Sequence, residues 1–423
     1  MSPKNSPRKN KKTIAASAIL LVCLFPAKSA YPRLLGDAIK PFARIRGLYD
    51  SNVFRVRDRD QLKALTGDDR LSDFITVYSV GTTLRYGLPG YQSPDQSADQ
   101  SVSLLLRTDS YRYGHYTGLN EDQEELQGDI AMRFLDRVSL RIEGGHSKLL
   151  EPRRDYQSAL PSMIALNTAG IIIGYDLPSG LGAGAAFRRE RLLYSIFADR
   201  DETTRDYSGA LSYAPSPYSR FEISYERMSA GYDYPQPAFS SGGTGLGSGL
   251  IKSDNSGDAV KALVHKIFSP KTDLTLSAGY LRRSYQFGIR SFGGLIWSAG
   301  LDFRATGKLR LFALAARQLH DEVFENQFYS VNDSFAAGAG YRMTGKIKAS
   351  LSGTVLNRSF RGAAATGTPE RRDTICLLKE SIGWRPEKGL SFDLSCRYEV
   401  RHSNSEGFDF RDNEVGLTAG YEF

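Results

Sequence analysis

From Leu390 to Arg401 apolar and polar residues alternate without a break: Leu390, Phe392, Leu394, Cys396, Tyr398 and Val400 share one face, and Ser391, Asp393, Ser395, Arg397, Glu399 and Arg401 share the other. A period of two is that of a β-strand with one face against an apolar medium. The pattern recurs in Val138, Leu140 and Ile142, in Phe335, Ala337, Ala339 and Tyr341, and in Ile347, Ala349 and Leu351. Weaker copies fill most of the remaining chain. The connections then sort by length. Short ones fall near 385–389, 344–345, 306–307, 269–271, 214–218, 178–180 and 135–136, and longer polar ones near 403–412, 362–372, 319–332, 232–256 and 147–166. Short turns at one end and long loops at the other are the organisation of a bacterial outer-membrane barrel. The expected fold is therefore all-β: a transmembrane antiparallel outer-membrane β-barrel of about 18 strands, with 16 as the alternative count, running from near Lys40 to Phe423 with both ends periplasmic.

The N-terminus changes how the charge is read. Lys4, Arg8, Lys9, Lys11 and Lys12 precede an apolar run over 13–25, followed by Ala27-Lys28-Ser29. This is the pattern of a secretory signal peptide cut after Ser29, with Ala30 as the alternative site, leaving 30–39 as a periplasmic segment and 40–423 as the barrel. The apolar run is short of the roughly 20 residues that a spanning helix needs, and no second one occurs, which excludes a helical membrane protein. The chain carries +8, but residues 1–29 hold six positives and no acid, so the remainder is near +2 (8 − 6). The basic balance thus belongs to the targeting segment and gives no reason to expect nucleic acid as a partner.

The last strand places Val415, Leu417, Ala419, Tyr421 and Phe423 on one face and ends on an aromatic carboxyl terminus. Tyr421 and Phe423 resemble the C-terminal signal through which the barrel assembly machinery recognises outer-membrane proteins. That machinery and the outer-membrane lipids are accordingly expected partners.

The same strand assignments turn a polar set inward. Its cations are Arg44, Arg46, Arg107, Arg137, Arg141, Arg310, Lys348, Arg358, Arg397 and Arg401, among the acids Asp109, Asp129, Glu143, Glu222, Glu226, Asp302 and Glu399. A guanidinium is a planar fork that pairs with carboxylates and can also grip acidic sugars or phosphates. Pairing across neighbouring strands is the plainer role for these charges, since polar lumens are the rule in such barrels.

Near the start of the barrel, Asp50-Ser51-Asn52-Val53-Phe54-Arg55 resembles the D-x-N-[LV]-[FY]-R signature of the "Putative beta-barrel porin 2" family, with Asp50, Asn52, Phe54 and Arg55 at its positions. Ser72-Asp73, just before the second strand, is similar as well. The family includes outer-membrane proteins encoded beside exopolysaccharide-synthesis genes of the exosortase type. The resemblance implies a role in polysaccharide export or secretion, with polysaccharide and export components as partners, and it carries over no catalytic residue.

Other chemistry is weaker. The histidines are His115, His146, His265, His320 and His402. His320-Asp321-Glu322 and His402-Ser403-Asn404 are the stretches that a rim hydrolase could draft as base and orienting partner; sequence neighbours alone do not make a site, so no catalytic residue, metal site or cofactor is expected. The glycine-rich stretch 240–249 lacks the Gly-Lys-[Ser/Thr] ending of a phosphate loop and reads as an outer loop. Cys376 and Cys396 flank the turn at 385–389, both on the apolar face, at spacings that place them nearly opposite. A disulfide and two separate lipid-facing thiols both fit that placement.

Overall fold

In the computed structural model the alternation becomes eighteen antiparallel strands. The structure describes residues 38–87, 100–134, 137–153, 158–233, 236–237, 250–251, 254–286, 291–324, 327–361 and 370–423. The expected signal peptide, most of the 30–39 segment and the glycine stretch 240–249 lie outside these residues. The first nine strands are β1 (Ile39–Asp50), β2 (Asp73–Gly87), β3 (Ser101–Tyr113), β4 (Glu121–Phe134), β5 (Val138–Leu150), β6 (Met163–Asp176), β7 (Leu181–Tyr194), β8 (Glu202–Ser216) and β9 (Ser219–Tyr232). The second nine are β10 (Asn255–Ser269), β11 (Thr272–Tyr285), β12 (Phe292–Phe303), β13 (Leu309–Phe324), β14 (Gln327–Arg342), β15 (Ile347–Arg361), β16 (Arg372–Trp384), β17 (Leu390–Ser403) and β18 (Phe410–Glu422). Each pairs with its sequence neighbour, and β1 pairs with β18 from Phe42 opposite Glu422 to Asp50 opposite Glu414. That last pairing closes the barrel and leaves no edge strand.

The two faces differ as the alternation requires. On β17, Leu394 and Tyr398 are exposed outward, whereas Glu399 and Arg401 are fully buried inside. Outward Ile223, Leu211, Leu295 and Leu417 are likewise exposed. Open apolar side chains all round the wall suit contact with lipid tails. One short end is set by Gly389, whose φ of 86° places it in the region that glycine enters without steric cost; a Cβ there would lie 2.4 Å from the Glu422 carbonyl oxygen.

Two boundaries differ from the sequence expectation. The stretch 319–332 is no loop: β13 and β14 stay paired as far as Phe324 opposite Gln327. Its polar residues disguise a strand pair, because β12 releases β13 above Trp297 opposite Arg317 and the hairpin leans over the mouth. There Tyr329 and Val331 are buried against Tyr285 and Phe292, with the rings of Tyr285 and Tyr329 stacked at 5.2 Å. The connection expected over 147–166 also shortens, since β5 runs to Leu150 and β6 begins at Met163.

The cysteines keep their outward face but are not opposed. Cys376 faces Val400 and Cys396 faces Glu380, a four-residue offset that amounts to about 13 Å along a strand. The reason is the turn: Trp384 pairs with Phe392, which centres it two residues beyond the position that opposition would need. Both cysteines are free. Intact mass measured with and without reductant should not change, and both thiols should react with a maleimide after unfolding; a reduction-dependent mass shift would contradict the register.

Candidate functional site

The connection between β1 and β2 does not stand outside the barrel. It folds into the outer mouth of the lumen, where it forms the helix α1 (Arg59–Thr66). Local sequence explains the helix. Asp58 caps its N-terminus by accepting the Gln61 N–H, and Gly67, at φ 81°, ends it by donating its N–H to the Lys63 carbonyl, the two favoured terminal residues for these tasks. Val56 and Leu62 are fully buried and Phe54 nearly so, packed with Leu48, Ile75, Val77 and Tyr113 from the inner faces of β1, β2 and β3. Burying one such side chain stabilises by about 1.5–3 kcal/mol, so the lining of this sector holds the segment in place.

The far side of the segment is tied across the mouth. The Gln61 side-chain amide donates to the Gly407 carbonyl at 2.8 Å, in the connection between β17 and β18. The guanidinium of Arg153, from the connection between β5 and β6, lies 4.4 Å from the Phe54 ring centre, within cation–π range.

Each position of the Asp50–Arg55 motif has a task here. Asp50 accepts the Asn52 N–H at 2.8 Å. The Asn52 amide then brackets the chain, donating to the Val56 carbonyl at 2.7 Å and accepting the Val56 N–H at 3.2 Å, while a second donation at 3.0 Å reaches the Arg411 carbonyl on β18. This forces a turn in which Arg55 has φ 55°, positive for a non-glycine residue. Such a conformation persists only where its surroundings overdetermine it. They do so here: the Arg55 guanidinium lies 3.1 Å from Asp50, 3.0 Å from Asp412 and 2.6 Å from Glu414. Burial works against its charge, but Asp50, Asp412 and Glu414 outweigh that and hold its pKa above the usual arginine value. The oxygens of the three carboxylates lie within 4.8 Å of one another, close enough for a cation; the chain supplies that cation itself, as Arg55. Strand β1, the inward segment and the closing strand β18 are thus joined at one point.

From its outer rim inward the wall carries the charges expected from the sequence, mostly paired. Arg107 meets Asp109 at 3.1 Å and Glu125 at 2.8 Å. Arg141 meets Asp129 at 2.5 Å, and Arg310 meets Asp302 at 2.5 Å. Arg397 pairs with Glu414 at 2.6 Å and with Glu399. Arg401, fully buried, pairs with Asp373 at 2.6 Å, which also takes Arg371 at 2.9 Å. Arg44 lies 4.6 Å over the Phe42 ring and Arg358 lies 4.8 Å over Phe360. Arg46 and Lys348 also occupy inward positions of β1 and β15. Arg137 differs: it is exposed in the turn before β5, where its N–H donates to the Phe134 carbonyl, so it belongs to the periplasmic rim and not to the wall. A trench of about 450 Å³ runs along the inner faces of β2 to β7, with Arg85, Arg141 and Arg188 facing Asp129 and Glu143.

The histidines do not converge. His402 is opposite Thr374 on the outward face, whereas His320 is opposite Ser330 on the leaning hairpin. Among the described residues neither imidazole is bonded to a carboxylate. His115, in the connection after β3, lies 2.6 Å from Asp68 in the connection after β1, and His265 lies 2.8 Å from Asp273 across one hairpin. Tyr421 and Phe423 end the outward face together, their rings 4.9 Å apart.

Residues 197–423, more than half of the chain, match the family described as "Putative beta-barrel porin 2". The chain belongs to this family. It is a porin-like β-barrel of the Gram-negative outer membrane. No curated protein matches the sequence. Similar solved structures include OccK11 (OpdR) of Pseudomonas aeruginosa, 12% identical with a TM-score of 0.45, over 94% of this chain and 99% of that one. The siderophore receptor PirA of Acinetobacter baumannii is another, 9% identical with a TM-score of 0.46, over 90% of this chain and 80% of that one.

The sequence reading missed that the motif anchors an inward segment. A signal was present: Leu48-Tyr49 and Phe74-Ile75 put apolar residues on both faces at the outer ends of β1 and β2, which an aqueous lumen does not require. Arg55→Ala removes the partner of buried carboxylates and should cost about 3–5 kcal/mol. Chymotrypsin added to whole cells should then cut within 51–72 at least several times faster than in the wild type. Arg55→Lys should restore resistance only in part, because an ammonium cannot span three carboxylates as a fork does; an unchanged cleavage rate in Arg55→Ala would contradict the anchoring role. The Asp58 carboxyl is held below its ordinary value of 3.8 by the Gln61 N–H and then by Arg57. A depressed pKa contributes stability above the unfolded value and loses it as pH falls, so resistance within 51–72 should decline below about pH 4, and less so in Asp58→Asn.

Proposed function

We propose that this barrel takes part in exopolysaccharide export or secretion, providing a polar passage through the outer membrane without catalysis of its own. The observation that carries the transport part is the wall. Eighteen strands enclose more space than their inward side chains fill, and that wall is polar, with most of its charges paired in place. A lining of neutralised pairs keeps water inside without trapping a charged chain. The inward α1 segment narrows the outer mouth, a position from which it would select what passes. The polysaccharide part rests on family resemblance, through Asp50, Asn52, Phe54 and Arg55. In this reading a signal peptide delivers the chain to the periplasm, Tyr421 and Phe423 are read by the barrel assembly machinery, and polysaccharide and export components are the working partners.

The packed mouth also favours a second reading, a closed structural or adhesion barrel whose outer loops bind surface polysaccharide. A deletion strain separates the two. Transport predicts that secreted polysaccharide falls and is restored by the wild-type gene; the closed barrel predicts undiminished export with lost surface attachment. In planar bilayers the transport reading further expects ion conductance that increases when 57–69 is replaced by a short linker. A protein that inserts but conducts in neither form would sink the open passage.

A further inference from the structure

The outward face of β7 to β11 carries an ordered double row. Phe187, Tyr207, Tyr225 and Tyr280 form an aromatic row, and two residues further toward the outer end of the same strands stand Arg189, Arg205, Arg227 and Arg282, all exposed. Aromatic rings mark the height where hydrocarbon gives way to headgroups. Phe187 and Tyr207 are directly paired, their rings 5.0 Å apart.

Arg189 and Arg205 then face each other directly across β7 and β8, an arrangement that is unfavourable for like charges. Neither makes an ion pair among the described residues. Arg191, one step further out, pairs with Asp233 at 3.2 Å, and Asp258 sits between Arg227 and Arg282 in the register. On β13, by contrast, the outward Arg317 grips Asp333 with two bonds of 2.7 Å. What sets this sector apart is the directly opposed pair of Arg189 and Arg205 at headgroup height, with no anion paired to either among the described residues.

We propose that this sector is a binding site for a phosphate-bearing glycolipid headgroup of the outer leaflet, with Arg189 and Arg205 gripping one phosphate and Arg227 steering it. The guanidinium fork matches phosphate oxygens in bidentate fashion. The aromatic row beneath lies alongside the acyl chains, which a soluble anion would not use. A bound phosphate also removes the repulsion between the two opposed arginines.

The purified full-length barrel in detergent is titrated with bis-phosphorylated lipid A, with the same lipid dephosphorylated, and with inorganic phosphate, and its thermal unfolding is followed. The phosphorylated lipid raises the unfolding temperature, whereas the other two leave it unchanged. In Arg189→Gln/Arg205→Gln/Arg227→Gln the response needs at least about tenfold more lipid, the loss expected when charge-assisted bonds are removed. Without lipid this variant unfolds at or above the wild-type temperature, because the repulsion is gone. Should it not fold, Arg205→Gln alone is measured, with the same direction expected. An equal response to dephosphorylated lipid would mean apolar contact only, and an equal response to inorganic phosphate a free-anion site. Either result, or a wild-type response from the variant, overturns the proposal.

Discussion

A backbone crossing hydrocarbon has no water to satisfy its N–H and C=O groups, so every strand needs a partner on both sides. The pairing of β1 with β18 meets that condition here, and the other features follow from it. Closure fixes the alternation, because each strand then has one face to lipid and one to the lumen. It also fixes the diameter, since eighteen strands leave an interior that side chains alone do not fill.

The space at the mouth is taken by the chain's own first outer connection. Two kinds of force hold it, on opposite sides. Toward β1, β2 and β3 the contact is apolar, through Leu62, Val56 and Phe54. Toward β18 it is ionic, through Arg55 among Asp50, Asp412 and Glu414. The ionic joint sits at the seam where first and last strands meet, so the element that narrows the lumen is fastened to the pairing that closes the barrel. The hairpin of β13 and β14 is held in the same mixed manner, by the stacked Tyr285 and Tyr329 and by Arg283 on Asp321 at 2.7 Å.

Strand identity, face and order were legible in the sequence because each depends on a period of two that survives over a dozen residues. The inward arginines were legible for the same reason, apart from Arg137, which parity alone could not distinguish from a turn residue. What escaped was long-range. No local pattern announces that Arg55 would meet Asp412 and Glu414, more than 350 residues away, or that the polar stretch 319–332 would remain paired. The cysteine register failed by a turn centre displaced two residues, since strand periodicity fixes a face and not an offset. The outward arginines of β7 to β11 were readable one strand at a time, yet the opposition of Arg189 and Arg205 needed the pairing.

The central claim is that the segment bearing α1 lies inside the mouth and reaches the β17–β18 connection. In a Cys376→Ser/Cys396→Ser background, Gln61→Cys and Glu406→Cys are combined and treated in intact outer membranes with a short bis-maleimide. The account predicts an efficient intramolecular cross-link between them. Two thiols that each react with a single maleimide but never join would contradict it.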